Sequence, residues 1–262
     1  IHNYLAQQTD VNMVYVPFLV EQGRLEDAIK GAYGLHILGC NVTVPYKNDV
    51  IPYLAQIDEL AAKMGSVNTL VRVDGGYKGY NTDMTGLYRA MSSDGVSIQG
   101  EQVIVLGAGG VGRAVAFMCA AKGAAHVWLL NRTVEKADEV AKEVNLAEGR
   151  SCVEALAMSD YDKLPDEKYL VIQSTSVGLY PHVEDAVITD PAFYHKVKAG
   201  YDLSYRPWET RFMQLVKEQG APAYNGLKML LYQGIEAFEL WNQCKIEDES
   251  AYKLYEMLRT TV

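Results

Sequence analysis

The sequence predicts a two-domain α/β protein, in which an N-terminal α/β domain is followed by a domain built on a parallel sheet. Two observations predict it. Strand-like and helix-like runs alternate along the chain, the pattern of parallel strands joined by right-handed crossovers. At 102–106 the run Gln-Val-Ile-Val-Leu, apolar without alternation, leads straight into a glycine-rich turn and an apolar helix, as a strand buried on both faces does. With 262 residues, 49% of them hydrophobic, the chain can enclose cores for two domains of modest size.

In chain order, residues 1 to about 10 read as the rear of a helix, since Ile1 and Leu5 lie four apart and share one face. Residues 11–18 (VNMVYVPF) are β-branched and aromatic, which predicts a strand. Helical spacing follows at 25–33, then a second strand at 35–44 and a helix over 46–63 with a break near Ile57-Asp58. Segments 67–73 and 77–80 flank Asp74-Gly75-Gly76, a tight hairpin signal. After the strand at 102–106 come a helix over 111–121, a buried strand at 126–130 and a helix over about 134–144. Further strands are expected at 169–172 and 199–203, with a helix at 211–218, and residues from 227 onward read as helix broken near Lys245. The expected partition is 1–84 with 227–262 for one domain and 85–226 for the other.

Bulk properties exclude several classes of function. The formal net charge of −9 and the lack of clustered Lys and Arg argue against a nucleic-acid surface. No apolar run of about 18 residues is present, so no membrane span is expected. Cys40, Cys119, Cys152 and Cys244 are far apart and form no C-x-x-C pair, and the five histidines include no H-E-x-x-H. Neither a metal site nor a disulfide framework is therefore expected, and a reducing, cytoplasmic setting fits best.

Gly107-Ala108-Gly109-Gly110-Val111-Gly112 fits G-x-G-x-x-G between a strand and a helix, the context that marks a Rossmann-like dinucleotide site. Its first Gly allows the tight turn, the second lets backbone approach a pyrophosphate, and the third permits close packing of helix on strand. Turn glycines without a ligand are the alternative. NAD sites carry an Asp or Glu at the end of the second strand, where it binds the ribose 2′-hydroxyl. Here that position reads Asn131-Arg132-Thr133, with Lys136 one turn on. A guanidinium, an amide, a hydroxyl and an ammonium suit a 2′-phosphate, so the expected cofactor is NADP. The competing reading makes Asn131 and Thr133 helix caps and leaves Arg132 solvated.

Three polar clusters precede this domain. Asn41-Val42-Thr43-Val44-Pro45-Tyr46-Lys47 alternates polar residues and ends on a Lys at an expected helix start, where a cation gains nothing structurally. Asn68-Thr69 and Asn81-Thr82-Asp83 are the other two. Each alone also reads as a cap or a solvated side chain. Together with Gly65-Ser66-Val67, Gly79-Tyr80, Tyr201-Asp202-Leu203-Ser204-Tyr205, Pro207, Thr210, Asn225-Gly226-Leu227, Met229-Leu230 and Gln233, they resemble the shikimate dehydrogenase family in order and spacing over nearly the whole chain.

The resemblance implies an oxidoreductase that interconverts 3-dehydroshikimate and shikimate with NADP, in aromatic amino-acid (chorismate) biosynthesis. It implies that Lys47 and Asp83 are the catalytic pair, Lys47 exchanging the proton of the reacting hydroxyl and Asp83 orienting it. Thr43, Asn68, Tyr205 and Gln233 match substrate-binding positions. Gly107 to Gly112, Asn131, Arg132, Thr133, Lys136, Leu203 and Gly226 match cofactor positions. Many relatives carry Arg at the position of Lys136, so its phosphate contact here lacks bidentate geometry. The partner implied is a small-molecule substrate, acting on a monomer or homodimer.

One departure stands out. The family opens with a strand and a Ser-x-Ser turn that grips the substrate carboxylate, and the sequence at hand starts inside what reads as the next helix. Ser174-Thr175-Ser176 has the spelling but follows a strand of the nucleotide domain. The expectation is therefore that roughly 15–25 upstream residues, room for a strand, a turn and a helix start, belong to the natural protein. A quinate/shikimate dehydrogenase using NAD or NADP is the nearest alternative. A non-catalytic dinucleotide-binding sensor is the alternative of another class, and Lys47, Asp83, Asn68 and Gln233 together speak against it.

Overall fold

Chain order in the computed structural model, which describes residues 1–261, begins with α1 (His2–Gln8) and α2 (Leu25–Gly34). A four-stranded sheet follows from β1 (Gly39–Asn41), β2 (Gln56–Ile57), β3 (Thr69–Val73) and β4 (Gly76–Tyr80), in the order β1-β3-β4-β2. All neighbours are antiparallel except β2 on β4. The β3–β4 hairpin turns through Asp74-Gly75, with Gly75 at φ 80°, a conformation that glycine adopts without steric cost. Two more helices complete this stretch, α3 (Glu59–Met64) and α4 (Thr82–Ser93). Asp58 caps α3 by accepting from Leu60 N and Ala61 N, and Gly65 in the left-handed region ends it.

The second sheet has six parallel strands: β5 (Gln102–Leu106), β6 (His126–Asn131), β7 (Val153–Ala157), β8 (Tyr169–Gln173), β9 (Val197–Asp202) and β10 (Ala223–Tyr224). Their order is β10-β9-β8-β5-β6-β7, so the chain winds outward from β5 in one direction, returns to β8 and winds outward in the other. Ligands of such doubly wound sheets bind outside the carboxyl ends of the strands where the order reverses, here β5 and β8. The crossovers include α5 (Gly110–Ala121), α6 (Val134–Glu148), the short α7 (Pro191–Tyr194) and α8 (Arg211–Glu218). In α8, Phe212, Met213, Leu215 and Val216 are buried, and the Thr210 side chain caps the start. The chain ends in α9 (Leu227–Asn242) and α10 (Asp248–Thr261).

Two compact units result, residues 1–89 with 229–261 and residues 90–228. Within the first, Leu231, Ile235 and Phe238 of α9 pack with Leu5, Ala6, Ala251 and Leu254. Trp241 donates to Leu70 O at 2.8 Å, and Gly39 makes room for it, since a Cβ there would sit 2.1 Å from the indole nitrogen. The His2 ring packs tilted against Tyr15, with centroids 4.3 Å apart, and against Trp241, at 4.9 Å. Burial there pushes the His2 imidazole down to about 4.

Several expectations are corrected. Residues 11–18 form no strand. The side chains do alternate, with Val11, Met13 and Tyr15 partly buried and Val14 and Val16 exposed. The backbone, however, has no strand partner among the described residues; the Asn3 amide takes both the Tyr15 N–H, at 2.7 Å, and its C=O, at 3.0 Å. The strand expected at 35–44 shrinks to Gly39–Asn41, the part that faces β3. The helix expected over 46–63 forms only beyond its expected break near Ile57-Asp58, as α3; before the break the chain makes a run of turns at 44–50, a 3₁₀ turn at Ile51–Tyr53 and β2. Pro52 in this stretch has no N–H to give a helix. Lys47 therefore sits in a turn, not at a helix start.

Candidate active site

The polar clusters of the first unit converge at the ends of β1, β3 and β4. Lys47 Nζ lies 2.7 Å from Asp83 Oδ2, and both side chains are only partly exposed. The position of Lys47 is set by its own carbonyl, which accepts from Val67 N at 2.8 Å, one residue before Asn68. Asp83 stands in the first turn of α4, a favourable place for a carboxylate. Asn81 opens that helix: its Oδ1 accepts from Met84 N at 3.2 Å, while its Nδ2 donates to Ser66 O at 3.0 Å. Asn68 is nearly buried, and its Oδ1 accepts from Thr82 N at 2.8 Å.

Gln233 joins this group through helix packing. A Cβ on Gly86 would lie 2.5 Å from Gln233 N, so α4 and α9 cross in close contact at these two residues. Gly86 is one turn after Asp83, on the same face of α4. Thr43 is exposed on the loop that leads to Lys47, and its carbonyl accepts from Tyr46 N at 2.9 Å. Tyr205, the remaining expected substrate residue, belongs to the other unit, in the loop after β9.

In the second unit the glycine-rich turn follows β5 at the reversal of strand order. Gly107 has φ 103°, and a Cβ there would meet Thr175 at 2.7 Å. On Gly112 it would come within 2.0 Å of Gly107 O, so helix and turn pack through missing side chains. Ser174 braces the same turn by donating to Leu106 O at 2.7 Å, which explains the serine spelling at 174–176 without a substrate. Gly109 and Gly110, by contrast, would meet nothing within 4 Å and are exposed. The first turn of α5 has no side-chain cap and no acidic residue. Open N–H groups beside a space the protein's own packing does not need fit a dinucleotide pyrophosphate.

At the end of β6, Asn131 takes a role between the two sequence readings. Its Oδ1 accepts from Ala108 N at 3.1 Å and its Nδ2 donates to Thr133 O at 2.9 Å, so it ties the glycine turn to the start of α6. Thr133 occupies the cap position of α6 without a side-chain cap bond. Arg132, Thr133 and Lys136 are all exposed, and β6 ends without a carboxylate. Glu135 is the one acid in that first turn. Leu203 and Gly226 come together, since a Cβ on Gly226 would lie 2.1 Å from Leu203 O.

Fold and site define a class: a doubly wound dinucleotide-binding unit joined to an α/β unit with a close Lys–Asp pair, the equipment of a dinucleotide-dependent oxidoreductase. Comparison with known proteins narrows it. The family model described as "Shikimate dehydrogenase substrate binding domain" matches residues 1–70, "Shikimate / quinate 5-dehydrogenase" matches 90–189, and "Shikimate 5'-dehydrogenase C-terminal domain" matches 226–252. A shikimate dehydrogenase (NADP(+)) of Moorella thermoacetica is 39% identical over 243 residues, 92% of this chain and 82% of that protein. A crystal structure of shikimate 5-dehydrogenase from Listeria monocytogenes in complex with shikimate and NAD superposes with TM-score 0.89 at 28% identity, covering 97% of this chain and 89% of that one. A shikimate dehydrogenase in complex with NADP⁺ gives TM-score 0.84 at 32% identity, covering 97% and 88%. The chain belongs to the shikimate dehydrogenase family.

Proposed function

We propose that this protein is an NADP-dependent shikimate dehydrogenase that interconverts 3-dehydroshikimate and shikimate. The carrying observation is the 2.7 Å contact of Lys47 with Asp83, set beside the nearly buried Asn68. Bound NADP supplies the hydride acceptor or donor. Lys47 moves the proton: in the oxidation its amine form takes the hydroxyl hydrogen, and in the reduction the ammonium returns it. Asp83 fixes the direction of Lys47 Nζ through a charge-assisted hydrogen bond. Asn68, Gln233, Thr43 and Tyr205 bind the ring substituents, and neutral donors and acceptors suit a substrate made of hydroxyls around one carboxylate.

Gly107 to Gly112 receive the pyrophosphate at the α5 N-terminus, with Leu203 and Gly226 lining the same cofactor. Arg132, Thr133 and Lys136 face the 2′-phosphate, and Asn131 acts mainly by holding Ala108 and Thr133 in place. The absence of a carboxylate at the end of β6 supports NADP over NAD. A cytoplasmic setting accords with four free cysteines. The test is a two-by-two activity panel, shikimate or quinate with NADP or NAD. Highest kcat/KM for shikimate with NADP is expected, and a clear preference for quinate or for NAD would overturn that half of the assignment.

A further inference from the structure

We propose that Thr69, steadied by Asn41, is a positioning residue that locks the Asn68 amide with its NH₂ group toward the substrate, so that Asn68 recognises a substrate oxygen only as a donor. The proposal rests on the assignment of Asn68 to substrate binding.

Three donors face one end of the Asn68 amide, and the backbone donor among them identifies that end. Thr82 N, 2.8 Å away, is a backbone donor and cannot accept, so the amide atom that faces it is the oxygen. The same Oδ1 lies 3.1 Å from Thr82 Oγ1 and 3.0 Å from Thr69 Oγ1. A flipped amide would turn its NH₂ group onto a backbone N–H in a site where Asn68 is 3% exposed. Asn68 Nδ2, on the other side, has no hydrogen-bond partner among the described residues, and it is not among the fully enclosed polar atoms. It is the end of the amide left to meet a ligand.

Thr69 itself is 0% exposed and cannot touch a substrate. Its hydroxyl has one hydrogen, and the neighbours decide where that hydrogen points. Asn41 stands opposite Thr69 in the β1–β3 register and donates from Nδ2 to Thr69 Oγ1 at 3.0 Å. Asn41 Nδ2 also reaches the backbone carbonyl of Asn68 at 3.3 Å, which can only accept, so the Asn41 amide is oriented too. Its Oδ1 receives the Tyr15 hydroxyl at 3.0 Å. Thr82 Oγ1 lies 3.0 Å from Thr69 Oγ1, and either hydroxyl can donate to the other. With Asn41 filling one acceptor site of Thr69, the threonine hydrogen goes to Asn68 Oδ1 directly, or to Thr82 Oγ1, whose own hydrogen then goes to Asn68 Oδ1. Donation thus runs from Tyr15 through Asn41 and Thr69 to Asn68, directly or by way of the Thr82 hydroxyl.

The consequence concerns specificity. A hydroxyl bound to a donor-only Asn68 keeps its own hydrogen for an acceptor, and the residue after Thr82 is the carboxylate Asp83. An analogue with hydrogen in place of that hydroxyl leaves the Asn68 NH₂ unpaired, and such a loss falls fully on the analogue because the locked amide cannot turn to another partner.

The experiment compares the wild-type chain with Thr69→Val, which keeps the branched shape and removes the hydroxyl, Thr69→Ser, which keeps the hydroxyl, and Asn68→Ala. Each is assayed on shikimate and on deoxy analogues that lack one ring hydroxyl. The wild type is expected to prefer shikimate over one analogue by on the order of 10- to 100-fold in kcat/KM, the span of one buried hydrogen bond. Asn68→Ala should abolish that preference. Thr69→Val should cut it by about 3- to 10-fold, chiefly through KM for shikimate, with KM for NADP unchanged. Thr69→Ser should restore it. A Thr69→Val enzyme with the full wild-type preference, or a Ser variant that behaves like Val, would overturn the proposal. Should Thr69→Val fail to fold, a neutron structure of the ligand-free wild type decides: two deuterons on the Asn68 amide atom remote from Thr82 N support the lock, and deuterons on the atom facing Thr82 N refute it. A wild type inert toward shikimate and quinate would instead overturn the functional assignment, and the neutron structure would still report on the lock.

Discussion

Gly109→Ala separates the needs of the fold from the needs of the cofactor. At Gly109 the backbone has φ −71° and ψ −176°, which any residue adopts, and an added Cβ meets no atom within 4 Å. Its cost to stability is therefore that of a poorer helix cap, about 1 kcal/mol or less. The same methyl stands over the uncapped first turn of α5, where a pyrophosphate oxygen would approach. Losing one hydrogen bond to a charged group is worth about 1.5–3 kcal/mol, so Kd for NADP should rise about 10- to 150-fold. Gly112→Ala is the counterpart: its Cβ would lie 2.0 Å from Gly107 O, which is backbone and cannot swing aside. Overpacking of that kind costs about 1–3 kcal/mol or more. Urea unfolding and calorimetric titration with NADP measure both quantities. A Gly109→Ala chain that binds NADP like wild type, or one that loses as much stability as Gly112→Ala, would refute this division.

Lys47→Ala should lower kcat by about 10²–10⁴-fold with little change in substrate KM, and a kcat near wild type would remove Lys47 from the proton transfer. Asp83→Asn keeps the shape and loses the charge that orients Lys47, so kcat should again fall, by about 10- to 100-fold; a rise in KM alone would make Asp83 a binding residue. Arg132→Ala should weaken NADP by about 1.5–3 kcal/mol and leave NAD unchanged, whereas equal losses would assign Arg132 to the shared pyrophosphate or the fold. His2 is held down at about 4 by burial, so the unfolded chain takes up its proton below 6.5 while the fold resists until about 4. Stability from this residue is therefore full above pH 6.5 and falls by about 2 kcal/mol between pH 7 and 5; His2→Gln should flatten that slope, and an unchanged slope would refute the burial argument.

What the sequence made legible is what depends on neighbours in the chain. The unbroken apolar run of β5, the Asp74-Gly75 turn and the bounds of α8 behind its Thr210 cap are all local signals, and the structure has them. What depends on distant partners was less legible. Residues 11–18 have the alternation of a strand, and only the pairing decides whether they form one. In α4 the mid-helix Gly86 weakens the local helical signal, yet α9 requires it, because no larger residue lets Gln233 come so close. β7 is spelled Val-Glu-Ala-Leu-Ala, good helix formers that the edge of a parallel sheet overrides.

The site shows the same boundary more sharply, because residue type was legible there and direction was not. Asn41, Asn68, Asn81 and Asn131 all read from the sequence as amides able to cap or to bind. Each is committed by a backbone group that has no choice of role: a carbonyl at Asn68 for Asn41, the Thr82 N–H for Asn68, the Met84 N–H for Asn81 and the Ala108 N–H for Asn131. Those backbone groups are placed by strand register and helix starts, which join residues up to 27 positions apart. The fold therefore acts on chemistry by choosing which end of each amide remains. At Asn68 it leaves the amide nitrogen without a partner among the described residues, and at Asn131 it commits both ends, tying the glycine turn to the start of α6.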